Sequence, residues 1–521
     1  MAPRWPVSVR SSLLSALTLI AALPAQEPPT PTVPPSPRAG EANEVPVDAE
    51  ARAQGAAVRR LTLGDAMRLG RARNVGLRAA ELQPEQARLD LLFADAAFEP
   101  ELYGNASYGE GQSPARNLFQ PSIDSTTVDA AIGWRQRVVT GGLFDLAFHP
   151  SRYEYSGSSA FPSRQYSSIW TASFRQPLLR GAWTDYNLAP VTSAHYSEEL
   201  AKNTFESQVQ DTLLAIVQAY WELVFARENW RVVDSALAVA VEQLRITDER
   251  IRVADLAPRD RIADEAEVAR QREELIVAEN NIRSREDELR RLLFEGNEPE
   301  LWHVNLQPAS PIEVMLPDAA PMFEPLVAAA LAQRPDLRSA RNAVAIAEVA
   351  ELEASRDTLP GLDLVSSYSS DGVRDQFHDA WADSTDQQYP DWSLRLEFVL
   401  PLGNHAAKAR AQKAALEVER QRRLLNAATL DATKQVREAV RNLTSLAQSV
   451  RASTESVRLA ENNLETERVK LRVGASTAFE VQRRNQELSQ ARSRRLRNLL
   501  DYRTAESRLA HVQGKLRADV E

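Results

Sequence analysis

One stretch of this chain occurs twice, and the duplication constrains the fold more than any other feature. Residues 326–360 align with residues 66–100 at one offset, without a gap (335 − 75 = 260). The matching positions pair small or apolar residues and prolines: Pro335 with Val75, Leu337 with Leu77, Ala340 with Ala80, Ala347 with Ala87, Ala354 with Ala94 and Pro360 with Pro100. Two copies in a chain of 521 residues indicate a duplicated half and not a solenoid. We therefore predict two repeats, each opening with a helical run that ends at a proline.

Each half also carries a long segment with an apolar residue at every seventh position. The two series are Val209, Ile216, Leu223, Trp230, Leu237, Leu244 and Ile251, and Val436, Leu443, Val450, Val457, Leu464 and Leu471. A sustained seven-residue period indicates coiled-coil packing. We expect long helices at 183–254 and 405–473, each on the order of 105 Å. Shorter helices are expected at 62–97, 257–294, 323–358 and 476–514.

Each long helix ends in a turn that predicts the tip of an antiparallel helical hairpin. The first tip lies near 252–260 and the second near 472–480. Gly474 fits a helix C-terminus that needs positive φ, and either Ser476 or Thr477 fits the N-cap of the returning helix.

Between the short and long helices, several segments alternate between apolar and polar residues. This period of two predicts strands with one apolar and one wet face. Each segment has about ten residues, enough for a tilted strand to cross an outer membrane. Strands of a soluble antiparallel sheet alternate in the same way, so the pattern leaves both possibilities open. The residues expected to face lipid are Trp134, Trp170, Phe174, Trp392, Leu394, Leu396 and Phe398.

The β segment of the first half, 98–177, is nearly twice as long as its counterpart, 360–401. Thr140-Gly141-Gly142 lies between two alternating runs, as a hairpin turn would. Either this half contributes four strands, or its extra hairpin lies outside the membrane. Loops are expected at 111–125, 156–163 and 370–388.

The N-terminus predicts export. Arg4 and Arg10 precede the apolar run Leu13–Leu23, and small residues follow up to Ala25. This order is typical of a cleaved signal peptide, and the run is too short to span a membrane. The predicted order is a signal peptide at 1–25, a disordered Pro/Ala-rich leader at 26–60, a first repeat at 61–295, a linker at 296–321, a second repeat at 322–514 and a tail at 515–521.

Composition argues against several classes of function. The net charge of −10 disfavours a nucleic-acid partner, because phosphate binding requires a basic surface. The chain contains no cysteine, and it has neither a phosphate-binding loop with lysine nor a nucleophile–base arrangement. We therefore predict no enzyme, no cofactor and no metal. Six histidines without metal-ligand spacing are interpreted as structural or surface residues: His149, His195, His303, His378, His405 and His511.

Three features together resemble the TolC-type outer membrane efflux proteins. They are the duplicated motif, the strand-to-helix junctions Gln176–Gly181 and Leu400–Gly403, and the Val473-Gly474 tip. The resemblance covers residues 61–514 in order, in both halves. It implies a mainly helical fold with β structure, in which a homotrimer forms an α-barrel of long coiled-coil helices and a shared transmembrane β-barrel.

The resemblance also implies a function and a location. Such a protein is the exit duct of a tripartite efflux or type I secretion system, with small-molecule efflux favoured. It conducts passively, and its partners are a periplasmic adaptor, an inner-membrane pump and outer membrane lipid. The expected location is the outer membrane of a Gram-negative-type cell, with a periplasmic extension.

Acidic residues at the constriction of the helical tips are a further implication of the resemblance. The family's Gly-x-x-x-x-x-acid pattern matches Glu480, and three copies of a carboxylate around an axis favour cations. Asp255 and Asp260 are candidates in the first half. The second acidic position is occupied by Arg483, and Leu471 and Ser476 replace polar and aromatic gate residues. The residues expected to contact the adaptor are Arg252, Val253, Ala254, Arg472, Val473, Gly474 and Ala475.

Two alternatives remain at this point. Glu480 could be a solvated carboxylate at a helix start, where the helix dipole favours it. The whole protein could be an exported coiled-coil scaffold whose strands form a soluble β-cap without conduction. Contact of the aromatic strand residues with detergent would distinguish a channel from a cap.

Overall fold

The computed structural model describes residues 58–114, 123–156, 164–253, 256–296, 302, 304–317, 319 and 321–518. The predicted signal peptide and nearly all of the leader lie outside the described residues, as do Ala254, Asp255 and His303. The described chain forms two compact units. The strand unit comprises residues 90–194 and 348–416, and the helical unit comprises the rest.

Long helices occupy the segments with a seven-residue period. The helices are α1 (Leu63–Arg73), α2 (Val75–Ala80), α3 (Leu82–Asp95), α4 (Thr184–Asn187), α5 (Ala189–Arg252), α6 (Asp260–Leu293), α7 (Phe323–Gln333), α8 (Pro335–Arg356), α9 (Phe377–Thr385), α10 (His405–Arg472) and α11 (Ala478–Val512). Among the seven-residue positions, Ile216, Leu223, Val436 and Val450 are almost fully buried. The mainly helical fold class with β structure and duplicated long helices is confirmed.

The two short helices expected before the strands are each interrupted, which corrects the prediction of continuous helices. Asn74 (φ −67°, ψ 122°) and Arg334 (φ −62°, ψ 127°) adopt the same extended conformation. Proline disfavours helical geometry in the residue before it, which explains the interruption ahead of Pro335. In the first half Asn74 Oδ1 accepts the N–H of Leu77 at 3.0 Å and so caps α2.

In the described residues, eight strands form two sheets. The strands are β1 (Val58–Leu61), β2 (Glu101–Ser113), β3 (Ile123–Arg137), β4 (Leu143–Ser156), β5 (Arg164–Pro177), β6 (Asn305–Pro308), β7 (Gly361–Arg374) and β8 (Pro390–Val399). A six-stranded antiparallel sheet has the order β2-β3-β4-β5-β7-β8. A separate parallel pair joins β1 to β6. The first half therefore contributes four strands to the large sheet and the second half two.

Two predicted loops are corrected by the strand unit. The loop expected at 111–125 is shortened by β2 and β3, whose hydrogen-bonded ladder extends to Ser113 and Ile123. The loop expected at 370–388 contains α9 and the end of β7. Strands β2 and β7 lie at the start of the β segments expected at 98–177 and 360–401, although no alternating run was assigned to them. They are rich in serine and glycine, so alternation of side-chain polarity does not mark them.

The main core of the helical unit lies where β1 and β6 meet α5 and α6. Tyr220 of α5 is fully buried there among Leu213, Ile216 and Leu293. Its hydroxyl donates to the Leu61 carbonyl at 3.0 Å and accepts the N–H of Ser310 at 3.0 Å. One buried phenol therefore ties the linker after β6 to the start of the first repeat.

Candidate functional site

The seven residues expected to face lipid share one face of the large sheet. Cα pairing connects Trp134 to Leu146, then to Ala172, Tyr368 and Trp392. Paired residues of an antiparallel ladder project to the same side, and every second residue along a strand does so too. On β8 the side chains of this apolar face are 61–73% exposed: Trp392, Leu394, Leu396 and Phe398.

One part of the apolar face is covered by α9. The ring centroid of Trp381 lies 5.8 Å from Trp170 and 4.8 Å from Phe148, and Phe148 lies 4.7 Å from Trp170. Ser168 and Ser384 are buried together, with hydroxyl oxygens 2.8 Å apart. Trp170 is therefore half-buried under a helix that sequence reasoning did not find, because a nine-residue helix inside a polar connection gives only a short apolar signal.

The opposite face of the sheet is polar and carries paired charges. The Tyr103 hydroxyl donates to Asp145 at 3.0 Å, and Arg135 lies 3.6 Å from the same carboxylate. Arg175 Nε donates to Asp363 at 3.2 Å across the junction between the two halves. Opposite charges on neighbouring strands stabilise the pairing and keep this face wet.

Polar contacts fix the end of the sheet from which the long helices start. The Tyr186 hydroxyl donates to Asp357 at 2.9 Å, and the Arg356 guanidinium lies 4.5 Å from the Trp183 ring centroid. Burial, with the hydrogen bond and charge of Asp357, raises the pKa of Tyr186 to about 12. Asn404 donates to the Thr358 carbonyl at 2.9 Å. Gly403, at φ +86°, turns the chain from β8 into α10.

The second helical tip matches its predicted turn chemistry in detail. Gly474 has φ +77°, and Thr477, not Ser476, is the N-cap of α11. Its hydroxyl accepts the Glu480 N–H at 3.3 Å. The Glu480 carboxylate lies 2.9 Å from Arg483, so the substitution noted in the sequence partly neutralises this candidate.

Ser476 has a different partner, which sequence reasoning missed. Its hydroxyl donates to Glu467 at 2.5 Å, and Lys470 lies 3.3 Å from the same carboxyl group. The Ser476 hydrogen bond, together with the charge of Lys470, lowers the pKa of Glu467. The turn at Gly474 brings the two residues together, and their separation of nine positions gave no helical signal.

The candidate adaptor contacts are exposed at both tips. Val253 and Val473 are 67% and 74% exposed, and Phe479, not predicted, is 70% exposed. Arg252 pairs with Glu249 and Arg472 with Glu465. Gly474 and Ala475 are exposed as well. Ala254 and Asp255 lie outside the described residues, and Asp260 begins α6.

Neither metal ligation nor a helical membrane span is found in the described part of the chain. No three His, Asp or Glu side chains there lie close enough to hold a metal ion. No helix in the same residues is both long and apolar enough to cross a bilayer.

Comparison with known proteins adds to this geometry. Residues 326–515 match the family model described as outer membrane efflux protein. The CmeC outer membrane channel of Campylobacter jejuni is similar in structure, with a TM-score of 0.65, 15% identity and coverage of 88% of this chain and 87% of that one. No curated protein matches.

Two further structures share the fold. The open state of the Neisseria gonorrhoeae MtrE outer membrane channel has a TM-score of 0.63 at 17% identity, covering 88% of this chain and 90% of that one. The Vibrio cholerae outer membrane protein VceC has a TM-score of 0.61 at 16% identity, covering 87% and 96%.

The chain, with its long helices and antiparallel sheet, shares its fold with these outer membrane channels. In sequence, the match to the outer membrane efflux protein model lies in the second repeat. The resemblance inferred from the sequence is thereby confirmed.

Proposed function

We propose that three copies of this chain form a passive exit duct in the outer membrane. The duct receives substrates from an inner-membrane pump through a periplasmic adaptor. The observation that carries this proposal is the two-faced sheet. One face is apolar and exposed, the other carries ion pairs, and the whole belongs to a chain whose second repeat matches an efflux family.

The physics of the bilayer supports a shared barrel. Lipid offers no hydrogen bonds, so a sheet with open edges is not stable within it. Strands β2 and β8 are the two edges of the six-stranded sheet. Closure between copies satisfies both edges and encloses the polar face around water.

The helical tips are the proposed site of adaptor contact and ion selection. Val253, Val473 and Phe479 have exposed apolar side chains. The neighbouring arginines, Arg252 and Arg472, form ion pairs with glutamates of their own helices. Glu480 is the proposed selectivity carboxylate, with Arg483 reducing its field. Asp255 and Asp260 remain proposed contributors from the first half. Conduction is driven elsewhere, so no catalytic group is required.

One observation favours the alternative of a soluble β-cap. Helix α9 covers part of the apolar face through Trp381, as a helix does in a water-soluble sheet. However, the apolar residues of β8 stay uncovered, and a contiguous exposed apolar surface marks an interaction site.

The decisive experiment is membrane fractionation, followed by mass measurement in mild detergent. A trimer in the outer membrane fraction is expected. A monomer or dimer that is soluble without detergent, and a Leu396→Asp variant that behaves identically, would contradict the channel and support the cap. Ser393→Asp, on the polar face of the same strand, is the matched control.

A further inference from the structure

We infer that all six strands of the large sheet belong to one membrane barrel, so that three copies form eighteen strands. The inference rests on the proposed trimeric duct and specifies its width. Had each half contributed two strands, as the second half does, the trimer would have twelve. The added strands are β3 and β4, because β2 follows the first repeat motif as β7 follows the second.

The hydrogen-bonded order places β3 and β4 inside the sheet and not beside it. β3 pairs with β2 and β4 along most of its length, and β4 pairs with β5 from Leu143 to Glu154. The sheet is a meander with an even number of strands, so its edges β2 and β8 run in opposite directions. The β8 edge of one copy can therefore pair antiparallel with the β2 edge of the next.

The connections have the asymmetry of an outer membrane barrel, in which turns on one side are short and loops on the other are long. The β3–β4 turn is tight: the Val138 N–H donates to the Gly142 carbonyl at 2.8 Å, and Gly141 has φ +83°. A Cβ at Gly141 would meet the Gly181 carbonyl, so this turn lies against the strand-to-helix junction. The connections at the other end are longer, spanning 114–122, 157–163 and 375–389.

The apolar residues shift along the strands as tilted barrel strands require. The apolar row on β8, Trp392–Phe398, is centred on Arg395. The Cα pairing gives the residue that lies level with Arg395 on each successive strand from β7 to β2. These residues are Val365, Arg175, Leu143, Arg137 and, by extension of the register, Glu99.

The uncharged outward row on β2, Leu102–Tyr108, is instead centred on Asn105, which is six residues further along (105 − 99 = 6). On β5 the outward row is centred on Ala172, which is three residues from Arg175, the residue level with Arg395 (175 − 172 = 3). Six residues over five strand steps is about 4 Å per step, against a strand spacing of about 4.8 Å. The corresponding tilt is roughly 40°, within the range for membrane barrels. On β4 the outward row Phe144–Phe148 is centred three residues from the reference level (146 − 143 = 3). On β3 the row Ala130–Trp134 is centred five residues from it (137 − 132 = 5), so the added strands occupy the same band as the others.

The consequence is a wide strand region. Barrel diameter grows roughly linearly with strand number, so eighteen strands give about 1.5 times the diameter of twelve. Barrels of sixteen to eighteen strands enclose an aqueous channel. The strand region then does not limit conduction, as expected if the constriction lies at the helical tips, where the proposed function puts it.

Cysteine cross-linking in the full-length, membrane-inserted protein tests the inference, because the chain has no native cysteine. The variant Leu396→Cys/Ala106→Cys joins the two edges, on the same face and at the same level of the apolar band. We expect oxidation to produce covalent dimers and trimers on denaturing gels. The band alignment predicts the pairing of β8 with β2 of the next copy only to within two residues. Gly104→Cys and Tyr108→Cys, the same-face neighbours of Ala106, are therefore each tested with Leu396→Cys as well.

Two further variants report on the added strands. Leu102→Cys/Ala172→Cys lies three strand spacings apart in the sheet, about 14 Å, and should not cross-link within a chain. Leu146→Cys/Ala172→Cys is the matched neighbouring pair and should do so. Single-cysteine variants exclude random collision.

The outcomes separate this inference from the proposed function. Cross-linking of Leu102→Cys/Ala172→Cys in a membrane-inserted trimer would place β3 and β4 outside the barrel. Linkage of Leu396→Cys to Leu146→Cys between copies would place β2 and β3 outside it. Either result overturns the eighteen-stranded barrel and leaves the duct intact. A protein that is neither trimeric nor membrane-inserted would overturn both.

Discussion

The two halves of the chain interrupt their first helical run at equivalent positions but stabilise the interruption with different side chains. In the first half, the buried Asn74 amide donates to the Leu292 carbonyl at 2.9 Å and caps α2 with its oxygen. In the second half, Arg334 bridges Asp336 at 2.7 Å and Gln435 at 2.8 Å. The backbone geometry at the interruption has thus been kept after duplication, whereas the chemistry that holds it has diverged.

The strand regions diverge further than the helical ones. Each half begins its strands at the same place in the repeat, Glu101 and Gly361, but the first half inserts a hairpin before the next helix (361 − 101 = 260). An insertion of two strands keeps the meander antiparallel, so both halves still pass into their long helices from the same end of the sheet. A hairpin can therefore be inserted into the sheet of one half without changing the direction in which that half enters its long helix.

The largest expected effect comes from placing a charge on the apolar face of either strand region. Ile132→Arg, in the added hairpin, and Leu396→Arg, in β8, should each cost about 2–4 kcal/mol of folding free energy in a bilayer. Ser393→Arg, on the polar face of β8, should cost much less. Refolding into lipid vesicles measures this. If Ile132→Arg behaves like Ser393→Arg, the first half's hairpin does not contact lipid and the two strand regions are not equivalent.

A smaller effect is expected at the helical interruptions. Asn74→Ala removes a cap and leaves the buried Leu292 carbonyl without its donor, so we expect a loss of about 1–3 kcal/mol. Arg334→Ala should cost less, about 1 kcal/mol, because Asp336 is half-exposed and can be hydrated. Denaturant-induced loss of helical circular dichroism measures both. The controls are Arg73→Ala and Gln333→Ala, which change the exposed residues just before Asn74 and Arg334. Equal losses of unfolding free energy in Asn74→Ala and Arg334→Ala would contradict the proposed difference between the two interruptions.

Only the second interruption should respond to acid. Burial of the Asp336 carboxyl opposes its ionisation, but hydrogen bonds and charge from Arg334 outweigh this, and the pKa of Asp336 is lowered below its ordinary 3.8. A lowered folded-state pKa gives stability that is present above 3.8 and lost as pH falls through the folded value.

Asp336→Asn should therefore be less stable at neutral pH and show a flatter decline below about pH 4. The equivalent first-half residue, Gly76, has no carboxyl group. Denaturant midpoints measured from pH 2 to 7 test this, with Asn74→Ala as the comparison. If stability declines as steeply with falling pH in Asp336→Asn as in the parent, the Arg334–Asp336 pair does not contribute to the acid sensitivity.

The smallest effect is expected at the tips, where Asp260 and Glu480 are equivalent under the offset of the long helices (471 − 251 = 220; 480 − 220 = 260). Because Arg483 lies 2.9 Å from Glu480, Glu480→Ala should lower cation selectivity by only about twofold. Arg483→Ala should raise it. Reversal potentials in planar bilayers measure both, with Arg472→Ala as a tip control. No change in either variant would exclude Glu480 from ion selection.

Several local features could be read from the sequence because each depends on residues close together in the chain. The seven-residue periods marked α5 and α10, and the Gly474 turn required a residue tolerant of positive φ. The Thr140-Gly141-Gly142 turn marked the β3–β4 hairpin. Alternation marked β3, β4, β5 and β8, whose outward residues are large and apolar.

Tertiary structure decided what depends on partners far along the chain. Strands β2 and β7 have small, polar residues, and they are strands because neighbours on both or one side supply their hydrogen bonds. Helix α9 is held by Trp170 and Phe148, more than 200 residues earlier. The partner of Ser476 was set by the geometry of the tip.

The amino-acid sequence by itself therefore determined the duplication, the long helices and their tips. The duplication follows from comparing two stretches of the sequence, and the helices and their tips follow from a local period or from the backbone limits of glycine and proline. Only the tertiary structure decided that six strands form one sheet, and which side of it α9 covers. Pairing order and coverage are contacts between distant segments, and a periodic pattern states which face a residue occupies but not which neighbour it meets.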